Sequence, residues 1–455
     1  MNFNSEVKAK LYGKGFRKAS EQEIIEEIKS WKSLQVTVFW ENLRELKTEL
    51  LRTQKELNFS YFIFPNFEAQ NLSDEALPQK AKNAFNFWEK DEEVSFSSNL
   101  TFHKAQFVGN CNFKLTLFKE EVDFSNSHFY QDVNFNQTEF LKTTNFTKVQ
   151  FKGESLFYNI NFNKKILFDE SGFHARTVFH ECNFKQEAYF SLVSSKYRIT
   201  FFSCYAKRIS FKYSRINHAY FVKNNFKYLN LHGIAIQHPF FSDNKIKEAE
   251  RETFAYIKHF FDNGDDYISA NYYYAKEMQA YQKELFPKSN ASFFKKVYHW
   301  FNKPNLGDKL VFGFSKIASN FGQNIFLPLY WILFAGAFFV GVNSEHSLLF
   351  IAFSLITLSL FVLSSSLIRK LTKQKKREDL VWLLSQTTLS FMAMGIWLYG
   401  GHFIEDFAKV INPVQILKGN NTYCQGIEFS CLLLRVFIAT MVYHFVIATK
   451  RGVRR

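Results

Sequence analysis

Phenylalanine falls on a fixed rhythm along this chain. From Phe96 to Phe190 it recurs at alternating steps of six and five: 96, 102, 107, 113, 118, 124, 129, 135, 140, 146, 151, 157, 162, 168, 173, 179, 184 and 190. One beat is missed at Ser195 and the ring returns at Phe201. A plain step of five follows through Ala206, Phe211, Ile216, Phe221, Phe226, Leu231 and Ile236. An α-helix cannot use this pattern, because five residues turn about 500° and successive rings would face different ways. A straight strand cannot use it either, since an odd step moves the side chain to the other face. The chain must bend once per step.

A second regularity sits two residues before each ring. Val122, Ser127, Val133, Thr138, Thr144, Val149, Ser155, Ile160, Ile166, Ser171, Thr177, Cys182 and Ala188 are all small or β-branched. A separation of two puts such a residue on the same inward face as the ring. Each unit then offers one large and one small inward residue, followed by polar ones. Four such sides make a square coil with rings stacked down its axis and neighbouring coils about 4.8 Å apart. Units of this kind bury their apolar face only by stacking on one another.

These residues resemble the pentapeptide-repeat family in its Phe-rich form, F-x4-F-x5-F. The residue before the central ring is often Asn or Asp in that family, and Asn112, Asp123, Asn134, Asn145, Asn161 and Asn183 match. The resemblance covers residues 96–236 and implies a right-handed quadrilateral β-helix. The expected fold class is mainly β, with helical caps and an added α-helical transmembrane domain of four spans. At about 22 and then 20 residues per coil, six to seven coils and a rod of about 30 Å are expected. Cys111, Cys182 and Cys204 occupy small inward positions, so packing is favoured over metal ligation. His103, His128, His174, His180, His218 and His232 fall at scattered phases without metal-ligand spacing.

The flanks read differently. Residues 20–57 predict helix, with Ser20 and Glu23 as a capping box and Ile24, Ile28, Trp31, Leu43, Leu46 and Leu50 at helical spacing. Phe39 and Trp40 read as packing residues. Residues 61–67 look like the lead-in to the first coil, with a helical excursion near 74–89. After Ile236, a helical hairpin is expected at 243–262 and 266–285, broken at Asn263-Gly264. In the family, such a hairpin often follows the repeats, and Glu250, Arg251, Asp265, Asp266, Ala270, Glu277 and Met278 look like its recurrent positions. Salt-bridged packing is favoured there over an acid/base role for Asp265, Asp266 or Glu277. The expected domains are a helical cap and lead-in at 1–90, the β-helix at 91–240, a hairpin cap at 241–290, a basic juxtamembrane linker at 291–324 and a four-span domain at 325–455.

Apolar runs at 325–342, 348–368, 380–399 and 430–448 are the expected spans. Loop 369–377 and the tail "KRGVRR" are densely basic, loop 343–347 has no Lys or Arg, and 400–429 has only Lys409 and Lys418. That alternation places both termini and the β-helix in the cytoplasm, in a multi-pass inner-membrane protein. The N-terminus shows no apolar signal-peptide region. The end of the chain also resembles the C-termini of membrane-attached pentapeptide proteins, with Asn412-Pro413 before the last span. Some relatives carry a two-helix ion-channel-like domain there. This chain departs from them, because no T-V-G-Y-G filter appears and "YGGH" at 399–402 lacks a preceding pore helix. Arg435 and His444 are intramembrane ionisable candidates, nine residues apart and so roughly on opposite helix faces.

Composition narrows the chemistry. The chain has 455 residues, 57 Phe, only 7 Pro and a net charge of +15, which favours anionic partners. Five Cys in this length are no disulfide framework. P-loop, dinucleotide, zincin and hydrolase motifs are missing, so no enzyme, cofactor or metal is expected. One surface feature stands out: Lys196, Arg198, Lys207, Arg208, Lys212, Arg215, Lys223 and Lys227 run without an Asp or Glu, with Tyr197, Tyr205, Tyr213 and Tyr220 interleaved. It reads first as a coil face near the anionic cytoplasmic leaflet, then as a protein-partner site, and last as a nucleic-acid contact. The leading functional reading is a non-enzymatic, membrane-anchored scaffold for a protein partner or the leaflet, with homo-oligomerisation left open. The alternative is a channel- or transporter-like protein gated by the β-helix. Topoisomerase protection by DNA mimicry comes last, because it needs an acidic surface.

Overall fold

The computed structural model describes residues 5–13, 20–32, 34–36, 38–43, 45, 56–65, 94–96, 98–285, 306–353, 355–356, 359, 379–412 and 428–453. The chain divides into two units, residues 1–264 and 265–455.

The first unit is a β-solenoid whose strands all pair in parallel with the coil above and below. Its four sides keep a 22-residue register. Side one stacks Leu100 on Val122 and Thr144 on Ile166. Side two stacks Phe107 on Phe129 and Phe151 on Phe173. Side three stacks Val133 on Ser155 and Phe157 on Phe179, and side four stacks Phe118, Phe140, Phe162 and Phe184. On side three, strands succeed one another from Cys111–Asn112 to Ala235–Ser242, giving about seven turns.

The rings form four columns. Phe102, Phe124, Phe146, Phe168 and Phe190 stack at 4.9, 4.9, 4.8 and 4.7 Å between centroids. Phe113, Phe135, Phe157, Phe179 and Phe201 form a second column at 4.9, 5.1, 4.5 and 4.7 Å. Neighbouring columns meet edge to face, as Phe124 and Phe135 do at 83°. Both geometries are favourable for aromatic quadrupoles.

Corners of two kinds explain the five/six alternation. Each five-residue step holds a tight turn whose third residue has positive φ: Lys104, Leu115, Asn126, Gln137, Lys148, Asn159, Glu170 and Glu181, eleven apart. The fourth residue's N–H donates to the first residue's C=O, as from Ser127 to Phe124 and from Thr138 to Phe135. This is the pattern of a type II turn, usually reserved for Gly at the third position. Asn or Asp before the ring stabilises the turn by accepting the N–H two residues on. Asn112, Asp123, Asn134 and Asn145 do so at 3.1, 2.9, 2.8 and 3.0 Å. Asn161 and Asn183 precede the wider six-residue corner, and there Asn183 donates to Asn161 instead. The small residue closing the turn often carries a hydroxyl or thiol that donates to a ring residue's carbonyl one coil earlier. Ser127 bonds Phe102 O, Thr138 bonds Phe113 O and Cys182 bonds Phe157 O.

The missed beat at Ser195 is where the coil narrows. Two register shifts, at Phe184/Glu187 and Ser195/Arg198, each remove one residue from the wide corner. The coil shortens from 22 to 20 residues, and strands run unbroken through that corner, as in Ser194–Phe202. Two ring columns yield to Ser195 and Ala206 at this level, so a smaller core fits a smaller square. The other two persist to Phe211 and Phe241.

The solenoid extends past the expected ladder at both ends. Asn58-Phe59-Ser60-Tyr61 repeats the corner signature, with Asn58 accepting from Ser60 N and Tyr61 at positive φ. Phe59 stacks on Phe102 and Phe64 on Phe107. At the other end, Phe241, Asp243 with positive φ, and the buried Ile246 complete a further turn. Helix α1 (Ser5–Tyr12) and helix α2 (Glu21–Lys29) lie at the N-terminal end. The capping box of Ser20 and Glu23 is present on α2. Strand replaces the expected helix by residue 56, because Glu56–Asn58 pairs with Asn99–Thr101. Trp40 and Phe39 are buried against Phe64, with Trp40 stacked on it at 6.0 Å. Tyr12 Oη accepts the N–H of Ile63. Helix α3 (Arg251–Asn263) begins eight residues later than expected, since residues 245–249 are still strand. It closes the other end: Thr253 accepts the N–H of Leu231, and Phe260 meets Phe241 at 5.4 Å. The excursion expected at 74–89, and Leu46 and Leu50, lie outside the described residues.

The second unit is helical. It comprises α4 (Tyr267–Leu285), α5 (Leu306–Ser319), α6 (Phe326–Val342), α7 (Asp379–Tyr399), α8 (Gly401–Ile411) and α9 (Glu428–Val453). Helical residues also occur at 347–353. Its core gathers Ala337, Val340, Phe350, Phe391, Phe403, Phe407 and Val410. Rings press onto glycines here: a side chain at Gly341 would collide with Phe350, and one at Gly395 with Phe403. Small residues that admit close approach are typical of packing between membrane helices. Among the described residues, one helical segment, Phe429–Arg451, is long and apolar enough to cross a membrane, and Phe326–Val342 is a shorter apolar helix. Much of the expected span 348–368, loop 369–377 and residues 413–427 lie outside the described residues. Cys431, near the start of α9, is disulfide-bonded.

Replacing Phe135 by Ala removes a ring that touches neighbours above, below and beside it, and is expected to cost about 3–5 kcal/mol. Replacing outward Gln131 by Ala is expected to cost under about 0.5 kcal/mol. Denaturant midpoints of the two variants check this, and equal losses would contradict the register.

Candidate functional site

The outer surface of a coil inherits its chemistry from register, because outward residues on one side stack every 22 or 20 residues. The eight cations of 196–227 are therefore not one surface. Lys196 and Arg198 sit at the wide corner between sides two and three, flanked by Ser195 and Ile199. Lys207 and Arg208 sit at the opposite wide corner, between Ala206 and Ile209, and Lys227 lies over Tyr205 near that corner. Lys212 and Arg215 flank the tight turn at Tyr213, and Lys223 occupies the tight turn between sides three and four. Each corner of the square receives at least one.

Four of these eight cations, Arg198, Arg208, Lys223 and Lys227, rest on aromatic rings. The Arg208 guanidinium lies 4.4 Å from the Tyr228 centroid and 3.9 Å from Glu187. Arg198 covers Tyr220 at 5.4 Å, and Lys223 covers Phe202 at 5.8 Å. Lys207 donates to Gln186.

One side differs from the other three. On side three the outward positions Leu156, Val178, Thr200, Tyr220 and Phe240 stack in register. Beside them run Tyr158, His180, Phe202 and Val222, with His180 stacked on Phe202 at 5.0 Å. His218 and His238 stack at 4.5 Å along one edge. Phe240 is 44% exposed. The result is an aromatic and aliphatic strip, edged by Arg198 on one flank and Lys223 on the other. The linear reading missed it. Sorting outward residues by side, at 22- and then 20-residue spacing, would have found it.

The remaining candidates do not converge. Cys182 and Cys204 are buried in the core, and burial pushes the Cys182 thiol up. Glu250 accepts from Tyr228 and Asn230. In the second unit the Ser269 hydroxyl and then its backbone N–H, both donating to Asp266 at the start of α4, lower its carboxyl, and Asp265 accepts from Tyr267. These are structural contacts. On α9, His444 Nδ1 lies 3.2 Å from Ser319 Oγ, while Arg435 is half-buried on a different part of the helix. Among the described residues no group of three or more His, Cys, Asp or Glu could hold a metal.

Side two carries a histidine cluster. His174 Nε2 lies 2.9 Å from Gln150 Oε1 and 3.2 Å from Lys152 Nζ. Burial and the Lys152 charge lower the pKa of both His128 and His174.

Residues 113–161 match the family model for pentapeptide repeats, in nine copies. The solenoid of this chain is a pentapeptide-repeat fold. Among solved structures, a similar one is HetL from the cyanobacterium Nostoc, a pentapeptide repeat protein involved in regulating heterocyst differentiation. It is 9% identical, with 45% of this chain and 94% of that chain covered, at a TM-score of 0.14, too low to carry an argument. No curated protein matches this chain.

As pH falls below about 6.5, the unfolded chain takes up protons that folded His128 and His174 resist. Their stabilising contribution is therefore full above that pH and declines beneath it. Denaturant midpoints should drop between about pH 7 and 5, and the combined H128N/H174N variant should show a shallower drop. An unchanged slope would remove the two histidines from the account. Arg208→Gln should cost about 0.5–1 kcal/mol through its lost ring contact, measured by the same titration.

Proposed function

We propose that this protein is a non-enzymatic scaffold, anchored in the membrane by its C-terminal helices, whose solenoid recruits a protein partner along side three. The observation that carries the reading is the apolar strip stacked through Leu156, Val178, Thr200, Tyr220 and Phe240, with a cation poised over a ring at each edge. The strip is buried at Val178, partly exposed at Leu156, Thr200 and Tyr220, and open at Phe240, and apolar surface with polar rims is a common form of protein interface. Arg198 and Lys223 at the rims select a partner whose own apolar surface is bordered by carboxylates. The solenoid's interior is filled by ring columns, so its usable chemistry lies on the outside.

Anchoring rests on α9, which is long and apolar enough to cross a membrane, and the apolar sequence runs at 325–342, 348–368 and 380–399 would supply the further three. Two features of α9 support an orientation with the solenoid in the cytoplasm. Its far end carries Lys450 and Arg451, matching the bias of cytoplasmic ends. Its near end carries the disulfide-bonded Cys431, which suits an oxidising compartment.

Affinity capture from solubilised membranes with the full chain tests the reading. Tyr220→Glu combined with Phe240→Glu is expected to release the captured protein, whereas Lys207→Gln with Arg208→Gln on the opposite corner retains it. Retention by both variants, or ion flux through the reconstituted chain that tracks its activity, would replace the scaffold with the channel-like alternative.

A further inference from the structure

Helix α5 is amphipathic in the reverse sense. In a water-soluble unit a surface helix turns its polar face outward and its apolar stripe inward. In α5 the exposed side chains include Leu310, Val311, Phe314 and Ile317, with Val311 71% exposed. The inward side holds its two lysines instead. Lys309 is buried, and Lys316 donates to Gln282 of α4 at 2.8 Å. Phe312, on the same inward side, meets Tyr281 of α4 at 5.2 Å.

The position of α5 is fixed against the span. Ser319, its last residue, lies against His444 of α9. The following turn is held by Arg451, which donates from Nη1 to Phe321 O and stacks its guanidinium 4.1 Å from Tyr274 of α4. Asn271 of α4 in turn donates to Arg451 O and accepts from Gln323. Trp331, near the start of α6, donates its indole N–H to Ile317 O. A Trp at this height and a basic helix end both mark a membrane–water interface. On α9 the exposed side chains likewise include the apolar Val436, Val442 and Val446.

We propose that α5 lies in the plane of the cytoplasmic leaflet, with Leu310, Val311, Phe314 and Ile317 immersed at the boundary between headgroups and acyl chains. The occupant of this face is lipid, and the immersion depth is about 5–10 Å. The inference rests on the membrane reading above but adds an in-plane element to it. Through Phe312–Tyr281 and Lys316–Gln282, α5 would carry α4 at the leaflet surface.

Single nitroxide labels at Val311→Cys, Phe314→Cys, Val436→Cys and Asp262→Cys test this in the full chain. The vesicles are of mixed phosphatidylethanolamine and phosphatidylglycerol, and the unlabelled-site spectrum is subtracted. Collision with bilayer-dissolved oxygen relative to an aqueous nickel chelate is expected to be several-fold higher at 311, 314 and 436 than at 262. A lipid-like ratio at 436 with a water-like ratio at 311 and 314 would overturn the in-plane helix while leaving the span intact. Low collision with both reagents at 311 and 314 would mean protein cover and would equally overturn it. A lipid-like ratio at 311 and 314 with a water-like one at 436 would keep α5 on the leaflet and remove the span.

Discussion

The contact on which the first unit depends is the face-to-face stacking of one phenylalanine on its equivalent a coil away. Parallel strands sit about 4.8 Å apart by backbone hydrogen bonding. Ring centroids in the columns sit 4.5 to 5.2 Å apart across the regular coils. The two spacings coincide, so a single translation satisfies backbone and core together. A flat ring suits that translation because it meets its equivalent face to face. Each buried ring contributes about 1.5–3 kcal/mol by transfer from water, and the stack adds about 0.5–1.5 kcal/mol per pair. That surplus is repeated at every coil.

The surplus is needed, because every coil also carries backbone strain. A residue other than Gly in the left-handed region costs about 1–2 kcal/mol. Among the described residues, this solenoid places Lys, Leu, Gln, Glu, Ser and Tyr there, and Gly at only one such corner, Gly233. The side chains of Asn112, Asp123, Asn134 and Asn145 offset part of that cost by bonding the turn from within. Hydroxyls at the small inward positions add a bond to ring-residue carbonyls one coil earlier, as Ser127 does to Phe102 O and Ser171 to Phe146 O. The polar residues of the repeat are thus as constrained as the rings. When two ring columns end at Ser195 and Ala206, the wide corner contracts in the same coil, so core size and perimeter change together.

The Phe rhythm made the coil legible from sequence alone, since only a bend at every step reconciles odd spacings with one inward face. What the rhythm could not show was its own continuation through interruptions. Phe59 and Phe102 stack, yet they are separated by one coil plus an insertion, so the period is hidden between them. The final turn was hidden because Asp243, Asn244 and Lys245 read as helix-entering polar residues, although Asn244 bonds Phe221 O inside the coil. The basic stretch misled for a geometric reason. Residues five apart in this chain lie on adjacent sides of a square, so linear clustering disperses charge while a 20-residue spacing concentrates it. Side three was therefore invisible to a reading of neighbours and plain to a reading of register.

The two units solve opposite burial problems with the same residue. In the solenoid, phenylalanine is inward in the four ring columns and the surface is left to polar turns, except on side three, where Phe202 and Phe240 lie outward. In the helical unit, Phe350 and Phe403 are inward on glycines, but Phe314, Phe326, Phe338 and Phe429 face outward beside exposed Leu and Val. An outward apolar surface of that extent has no rationale in water, where it would drive association. The lipid contact proposed for α5 would remove that cost and would account for the inward turn of Lys309 and Lys316. The in-plane placement proposed for α5 and the span proposed for α9 draw on the same feature, an apolar surface turned outward.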